Sequence, residues 1–421
     1  SRHSNNSFLF VGKRIRSSMS GALCWKVIGG ADKGGILVRV GKDLSSAQEA
    51  ERLSTGAIVK QLALEGDRLN FERIAGMGPS RGWVSLKLKD KDLLVKHELI
   101  EEASGETAKS STGEYRIRWA VNIDDWNPEG EENGDEFQFL LGLIEPEDER
   151  KMVMKYKQWG DKKRAIASRL LMRQSSAKAL GRTSFENIQV SRTKGRKPFL
   201  KSPLPPESEA PNWNANPSHE GSWVVCASEP YCVCGIDVAE LRRLKANGEA
   251  IDFYKVFEDQ LTQNEWDDVR KGGESLDDQY EVFSRYWSAK EAFTKARGDG
   301  LQFPLKNCEF HWSPLEGFPE KTAYEGIVKV EGELLVMWRL VQHKLPTDRP
   351  HWVTVARGPL TDIIDAKGEF TSTLRKKQDS FSNAAWRDVL NDESPNFEIL
   401  PFSALVPADV EKDYRAVAKC K

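Results

Sequence analysis

A chain of 421 residues with 39% hydrophobic and 30% charged residues has the balance of a globular protein and the length for at least two domains, which excludes a low-complexity or fibrous chain. Its longest apolar stretch, Phe137 to Ile144, is interrupted and far too short to cross a bilayer, so no membrane partner is expected. A net charge of −2 and six scattered cysteines exclude a disulfide scaffold, and Cys232 and Cys234 lack the second pair or nearby histidines of a zinc finger, leaving a reducing compartment as the default.

The chain opens basic and serine-rich: Arg2, Lys13, Arg14, Arg16 and Lys26 all precede Asp32, its first acidic residue. This composition resembles a transit peptide and equally fits a natural start at Met19, so residues 1–18 are expected to be a disordered upstream or targeting segment. Residues 19–102 read as a small β-rich module, with strand-like runs at Gly35 to Val40, Ala57 to Leu64, Leu69 to Ile74 and Trp83 to Leu88. Gly82-Trp83-Val84-Ser85 looks like the equivalent stretch of SH3-like barrels, and a purely structural tryptophan accounts for it as well.

Residues 103–114 are small and polar, as a flexible linker would be. Beyond it, Arg116 to Asn122 reads as a strand and Lys162 to Leu180 as a helix ended by Gly181. Strands follow at Asn187 to Ser191, Trp223 to Ala227 and Val233 to Val238, around a proline-rich loop from Pro203 to Pro217. A capping box, Thr262-Gln-Asn-Glu265, starts one helix, and a second runs from about Gln279 to Arg297 before Gly298-Asp299-Gly300. Strands at Asn307 to Trp312, Gly326 to Val330, Leu334 to Leu340 and Trp352 to Ala356 complete the pattern. The order predicts an α+β fold of two similar pseudo-repeated lobes, residues 115–235 and 236–360, each an antiparallel sheet plus helices, with a C-terminal extension at 361–421 partly packed on them.

Charge is distributed unevenly. From Asp124 to Glu149 there are eleven acidic residues and no Lys or Arg, whereas Arg150 to Lys201 carries sixteen basic residues against Asp161 and Glu186. The second block attracts phosphate or acidic protein; its few aromatics make nucleic acid the poorest fit.

Three segments concentrate the chemistry: Asn216-Pro-Ser-His-Glu-Gly221, Gly235-Ile-Asp-Val238 and Trp287-Ser-Ala-Lys-Glu-Ala-Phe-Thr-Lys295. Asp237 follows an apolar strand, so its carboxylate emerges where a hard oxygen can reach a cation. Glu291 and Lys295 are four apart on a helix and point the same way, which also describes an ordinary exposed ion pair. Upstream, Ser191-Arg-Thr-Lys-Gly-Arg-Lys-Pro198 gathers four cations and a glycine, either to wrap a phosphate or as a solvated basic loop.

In this order and spacing the segments resemble the phosphopantetheinyl transferases of the larger two-lobed type, the Sfp and aminoadipate-semialdehyde dehydrogenase kind, over roughly residues 116–406. The resemblance implies transfer of the 4′-phosphopantetheine arm of coenzyme A to a serine of an acyl- or peptidyl-carrier protein, as in fatty-acid and polyketide synthesis, with 3′,5′-ADP leaving. It implies Mg²⁺, with Mn²⁺ as a substitute, on Asp237 and Glu291, and Lys295 on the phosphates, these three being the catalytic residues. Coenzyme A would be met by Arg192, Thr193, Lys194, Arg196, Lys197, Asn216, Ser218, His219 and Lys295. A strand carboxylate and a helix carboxylate leave most of an octahedral shell open, which suits Mg²⁺.

The chain departs from the family pattern at four places. Ala239 stands where bacterial relatives carry a third acid, and a water is the expected replacement because Glu240 alternates to the other face. Pro217 replaces an apolar β-branched residue, removing a backbone donor. Gly160 replaces an arginine, with Lys162 or Lys163 as substitutes, and Arg196 intervenes between Gly195 and Lys197. Glu291, directly or through a water, is the expected acceptor of the serine proton, and the Lys151 to Lys201 surface is expected to steer an acidic carrier protein. A non-catalytic adaptor that binds coenzyme A or a carrier protein on the same fold is the alternative. A monomer is expected, in the cytoplasm or alternatively in a plastid or other organelle.

Overall fold

The computed structural model describes residues 23–30, 33–75, 78–89, 91–97, 112–241, 245–246, 249–300, 303–345, 351–376, 389–390 and 394–418. The segment expected at 1–18 and nearly all of the linker expected at 103–114 lie outside them. Contacts divide the chain into two units, Ser1–Ala103 and Ser104–Lys421. Among the described residues no helix is long and apolar enough to cross a membrane.

In the first unit β1 (Cys24–Val27), β2 (Ile58–Glu65), β3 (Arg68–Ala75), β4 (Arg81–Ser85) and β5 (Leu94–His97) form an antiparallel sheet in the order β4-β3-β2-β1-β5. Gly66, at φ 61, supplies the left-handed turn of the β2–β3 hairpin. Trp25, Val59, Leu69, Phe71 and Val84 form its core, and Trp83 is half-buried. The run Gly35 to Val40 makes isolated bridges rather than a strand, Ile36 to Leu53 and Arg39 to Gln48 and Trp83, because Gly34 and Gly35 at positive φ break the extended backbone at its start.

The second unit is a mixed α/β structure of several antiparallel sheets and helices. Its elements in order are β6 (Arg118–Asn122), α1 (Asp135–Gly142), α2 (Glu147–Met154), α3 (Trp159–Ala179), β7 (Gln189–Arg192), β8 (Pro198–Ser202), β9 (Asn214–Glu220), β10 (Trp223–Glu229) and β11 (Val233–Glu240). Then come α4 (Gln263–Lys271), α5 (Leu276–Arg297), β12 (Cys308–Pro314), β13 (Ala323–Val330), β14 (Arg339–Lys344), β15 (His351–Gly358), β16 (Glu398–Leu400) and α6 (Glu411–Val417). One sheet runs β9-β10-β6-β16, with β16 parallel to β6, and the other β11-β15-β14-β13-β12. The run Leu334 to Leu340 is not one strand: it turns through a Trp338 N–H to Leu335 carbonyl bond, which buries Trp338 and lets its indole N–H reach Asp362 at 2.7 Å.

The two sheets meet through apolar side chains, Trp223, Val225 and Ala227 of β10 against Ile236 and Val238 of β11 and Val353 and Val355 of β15. β11 is an edge strand, so its outward N–H groups have no ladder partner. Asn214 and Asn216 of β9 supply the acceptors: Cys234 N–H donates to Asn214 Oδ1 and Ile236 N–H to Asn216 Oδ1, each at 2.9 Å. The expected lobe boundary at 235/236 therefore falls inside the strand that joins the sheets. Pro217 is accommodated without interrupting the strand, because β9 is itself at a sheet edge.

Candidate active site

Asp237 and the acid-bearing helix are brought together by a glycine. A Cβ on Gly235 would stand 2.2 Å from the carbonyl oxygen of Ala292 and 2.3 Å from the nitrogen of Ala296, so only glycine lets α5 lie directly on β11. Ala289, Ala292 and Ala296 line the buried side of the helix, and the residues beside that seam include Glu291 and Lys295. Ser288 fixes the register: its hydroxyl lies 3.1 Å from the Asp237 carbonyl oxygen and 2.9 Å from Thr354 Oγ1. Gly298, at φ 90, closes the helix with its N–H on the Thr294 carbonyl.

Asp237 is 6% exposed. Lys295 Nζ donates to its Oδ1 at 2.5 Å and to Ser218 Oγ at 2.9 Å, and Ser218 Oγ in turn donates to Asp237 Oδ1 at 2.9 Å. Burial works against the Lys295 charge, but Asp237 and Glu291 outweigh it and raise its pKa. Glu291 is half-buried; burial raises its carboxyl, Asp237 adds to this and Lys295 opposes it. A further acid, Glu220, joins from the end of β9. Burial and the Asp237 charge push it up to about 7, against the Glu240 N–H it accepts.

Glu220 went unread in the sequence, although the signal was present. Residues two apart on a strand share a face, so once Ser218 faces Asp237, Glu220 does too. An acid from the neighbouring strand thus accompanies Asp237 where a water alone was expected to make good the Ala239 departure. Glu240 keeps its carboxyl beside Gly221, where an added Cβ would meet it at 3.0 Å.

Three carboxylates, Asp237, Glu291 and Glu220, therefore surround one ammonium. Their surplus negative charge and hard oxygens fit a divalent cation of the Mg²⁺ type. Among the described residues no three His, Cys, Asp or Glu side chains are already drawn together as a metal cluster, and here Lys295 holds the Asp237 carboxylate.

Two family models match consecutive stretches: "4′-phosphopantetheinyl transferase, N-terminal" over residues 124–231 and "4′-phosphopantetheinyl transferase superfamily" over 233–353. The L-aminoadipate-semialdehyde dehydrogenase-phosphopantetheinyl transferase of Rattus norvegicus is 30% identical over 296 residues, 70% of this chain and 86% of the relative. The chain belongs to the 4′-phosphopantetheinyl transferase family. The Homo sapiens protein of the same description is 31% identical over 240 residues, 57% of this chain and 74% of its own. The Bacillus subtilis 4′-phosphopantetheinyl transferase Sfp is 31% identical over 97 residues, 23% of this chain and 38% of its own. The chain is thus a 4′-phosphopantetheinyl transferase enzyme.

In this phosphopantetheinyl transferase the basic loop between β7 and β8 is clipped onto the site from below. Thr193 N–H donates to the Lys197 carbonyl at 3.0 Å, Lys197 N–H to Thr193 Oγ1 at 3.1 Å, and Arg196 turns through φ 68. Lys197 is buried and donates to the carbonyls of Cys234 and Lys295 at 2.8 and 2.7 Å; burial lowers it to about 8. Its ammonium therefore anchors the loop on β11 and the end of α5, while Lys194 and Arg196 stay exposed.

Arg192 Nε sits 3.0 Å from Glu149 Oε1, and Arg169 Nε 2.5 Å from the other oxygen of the same carboxylate. Burial would raise Glu149, but Arg192 and Arg169 prevail and lower it. Arg173, buried beside them, is lowered to about 10 by burial. Three guanidiniums around one carboxylate leave surplus positive charge beside the loop. His219 is exposed to solvent, yet the protein crowding it, with Lys295 and Arg164, depresses it to about 4.

Other predicted site residues have structural partners. The Asn216 side-chain oxygen holds β11, as above. Neither lysine expected to replace the missing arginine is available: Lys162 pairs with Glu132 at 2.7 Å, and Lys163 donates to the carbonyls of Ile123 and Trp126 at 2.7 and 3.0 Å. Arg164 is one of the cations that act on His219, after Lys295; it donates to the Gly221 carbonyl at 2.6 Å and pairs with Asp161 at 2.5 Å.

Proposed function

We propose that this chain transfers the 4′-phosphopantetheine arm of coenzyme A to a serine hydroxyl of an acyl- or peptidyl-carrier protein, in a Mg²⁺-dependent reaction that releases 3′,5′-ADP. The observation that carries this reading is the Asp237, Ser218 and Lys295 cluster, with Glu291 and Glu220 beside it. Asp237 and Glu291 would hold the metal, with Glu220 as a third oxygen donor; Mn²⁺ suits the same set. When bound, the cation would neutralise charge developing on the diphosphate.

The residues of the chain supply the rest. Lys295 donates to a phosphate oxygen and stabilises the departing 3′,5′-ADP. Arg192, drawn with Arg169 onto Glu149, holds the nucleotide phosphate by charge-assisted hydrogen bonds, together with Lys194 and Arg196. His219, neutral when unliganded, gains a proton or offers a ring N–H to that phosphate. The serine oxygen attacks the β-phosphorus and the bond to 3′,5′-ADP breaks. Glu291, directly or through a water, takes the serine proton. In the same reading the two sheets are the cores of two similar lobes, and the N-terminal unit is a separate SH3-like module.

Chromatography of the reaction tests the stoichiometry. One 3′,5′-ADP released per carrier modified, dependent on Mg²⁺, supports the proposal; ADP-free modification or carrier-independent release would refute it.

A further inference from the structure

A row of polar side chains crosses the sheet beneath α5. Gln342 of β14 pairs across the ladder with Thr354 of β15, and Thr354 with Asp237 of β11, so the three side chains share the face on which the helix lies. The neighbouring row on that face, Leu340, Ala356 and Gly235, is apolar. Gln342, Thr354 and Ser288 are fully buried. Polar groups persist in such a place only when each finds a partner, and here each does.

The bonds run in one direction. Gln342 Oε1 accepts from Arg285 Nε at 3.2 Å, and Gln342 Nε2 donates to the Arg285 carbonyl at 2.8 Å and to Thr354 Oγ1 at 2.9 Å. At the other end Ser288 Oγ stands 3.1 Å from the Asp237 carbonyl, which can only accept, and 2.9 Å from Thr354 Oγ1. Each hydroxyl has a single hydrogen. Ser288 gives its own to Asp237, so Thr354 gives its own to Ser288 while accepting from Gln342. The Arg285 guanidinium lies 3.7 Å over the Tyr324 ring and 4.9 Å over that of Trp352, which holds the start of the chain in place.

We propose that Gln342 and Thr354 are positioning residues for the transfer reaction, an inference that rests on the reading of Asp237 and Glu291 as the metal pair. Ser288 stands one turn before Glu291 and two before Lys295 on α5, so a helix pinned at Ser288 holds both at a fixed height against Asp237. The alanine seam over Gly235 sets how closely α5 approaches β11, but such small side chains resist sliding weakly. The directed chain from Gln342 supplies the stop, because a shifted helix would leave several buried polar groups without partners at once. Gln342 acts only through Thr354 and Ser288, as an outer group that orients those which meet the metal.

The test uses the full chain. Mn²⁺ is titrated into the protein with coenzyme A and no carrier, and binding is read from the free-ion electron paramagnetic resonance signal against coenzyme A alone; turnover with apo carrier protein is measured beside it. Thr354→Val, which keeps the shape and removes the hydroxyl, should weaken Mn²⁺ binding and lower kcat by about tenfold each, with KM for coenzyme A within about twofold. Gln342→Met should do the same, whereas Thr354→Ser, which keeps the hydroxyl, should stay within about twofold of the parent in both readings. Val328→Ala, which opens the same buried core outside the row, should lower the melting temperature and leave both readings unchanged. Parental Mn²⁺ binding and kcat in Thr354→Val and Gln342→Met would overturn the proposal, as would a Thr354→Ser enzyme as impaired as Thr354→Val, or equal losses in Val328→Ala. A parent that neither binds Mn²⁺ nor modifies the carrier would sink the transferase reading and this inference together; a competent parent with unaffected variants sinks the inference alone.

Discussion

Lys295 stands 2.5 Å from the buried carboxylate of Asp237 and, through Ser218, shares a closed ring of hydrogen bonds with it. The ammonium is the one cation within this ring, so Lys295→Ala leaves a buried carboxylate uncompensated. In the absence of divalent metal the variant should lose about 1–3 kcal/mol of stability, a range kept low because the lysine side chain is 31% exposed. Added Mg²⁺ should restore much of that loss while transfer stays at least about a hundredfold down. Thermal melts with and without Mg²⁺, beside turnover, measure both; a variant with parental melting and activity would contradict this role.

Glu220 gives a pH signature. Its carboxyl is raised from 4.5 in the unfolded chain to about 7 in the fold, mainly by burial. Below 4.5 it is protonated in both states and contributes nothing to the difference. Between 4.5 and about 7 the unfolded chain releases the proton and the fold retains it, so metal-free stability falls with rising pH; above about 7 the penalty is constant. Glu220→Gln should flatten that slope in EDTA and weaken Mg²⁺ stabilisation, as melting curves across this range would register.

Glu149 acts through the arginines it holds. Glu149→Ala should raise KM for coenzyme A about tenfold with little change in kcat, because binding of the nucleotide end is loosened while the reacting phosphate is untouched. The loss should be smaller for 3′-dephospho-coenzyme A, which lacks the phosphate. Equal losses on both donors would assign Glu149 a general structural role.

A second buried carboxylate holds the sheets rather than the substrate. Glu229 receives Arg116 and Arg357 at 2.9 and 3.0 Å together with Arg118, tying β10 to β6 and β15. Burial alone would raise its pKa, but the three guanidiniums outweigh this and lower it far below 4.5. A depressed acid contributes its stability above the unfolded value and loses it as pH falls from there toward the folded one, so unfolding should set in steeply below about pH 4.5. Glu229→Ala should cost about 3–5 kcal/mol in urea titration at neutral pH.

Periodicity and local signals made much of this site legible. The capping box at Thr262 and Glu265 forms as read, and the helix carrying Glu291 and Lys295 ends on Gly298. The strand of Asp237 was equally plain from its apolar run. Long-range pairing was less visible. Nothing local in Asn216 announces that its oxygen serves an edge strand twenty residues later in the chain, or that Lys197 is buried against carbonyls of Cys234 and Lys295. The basic block misled for the same reason: charge is counted along the chain, whereas Lys162, Arg169 and Arg192 find their carboxylates only once helices and loops are packed.

Weighing the acceptor is the decisive test of the metal role proposed for Asp237 and Glu291. Apo carrier protein incubated with enzyme, coenzyme A and Mg²⁺ should gain the mass of one phosphopantetheine arm, and should gain nothing in EDTA or with Asp237→Ala or Glu291→Ala enzyme that melts as a folded protein. An unmodified carrier with the parent enzyme, or full modification by either variant, would contradict the account.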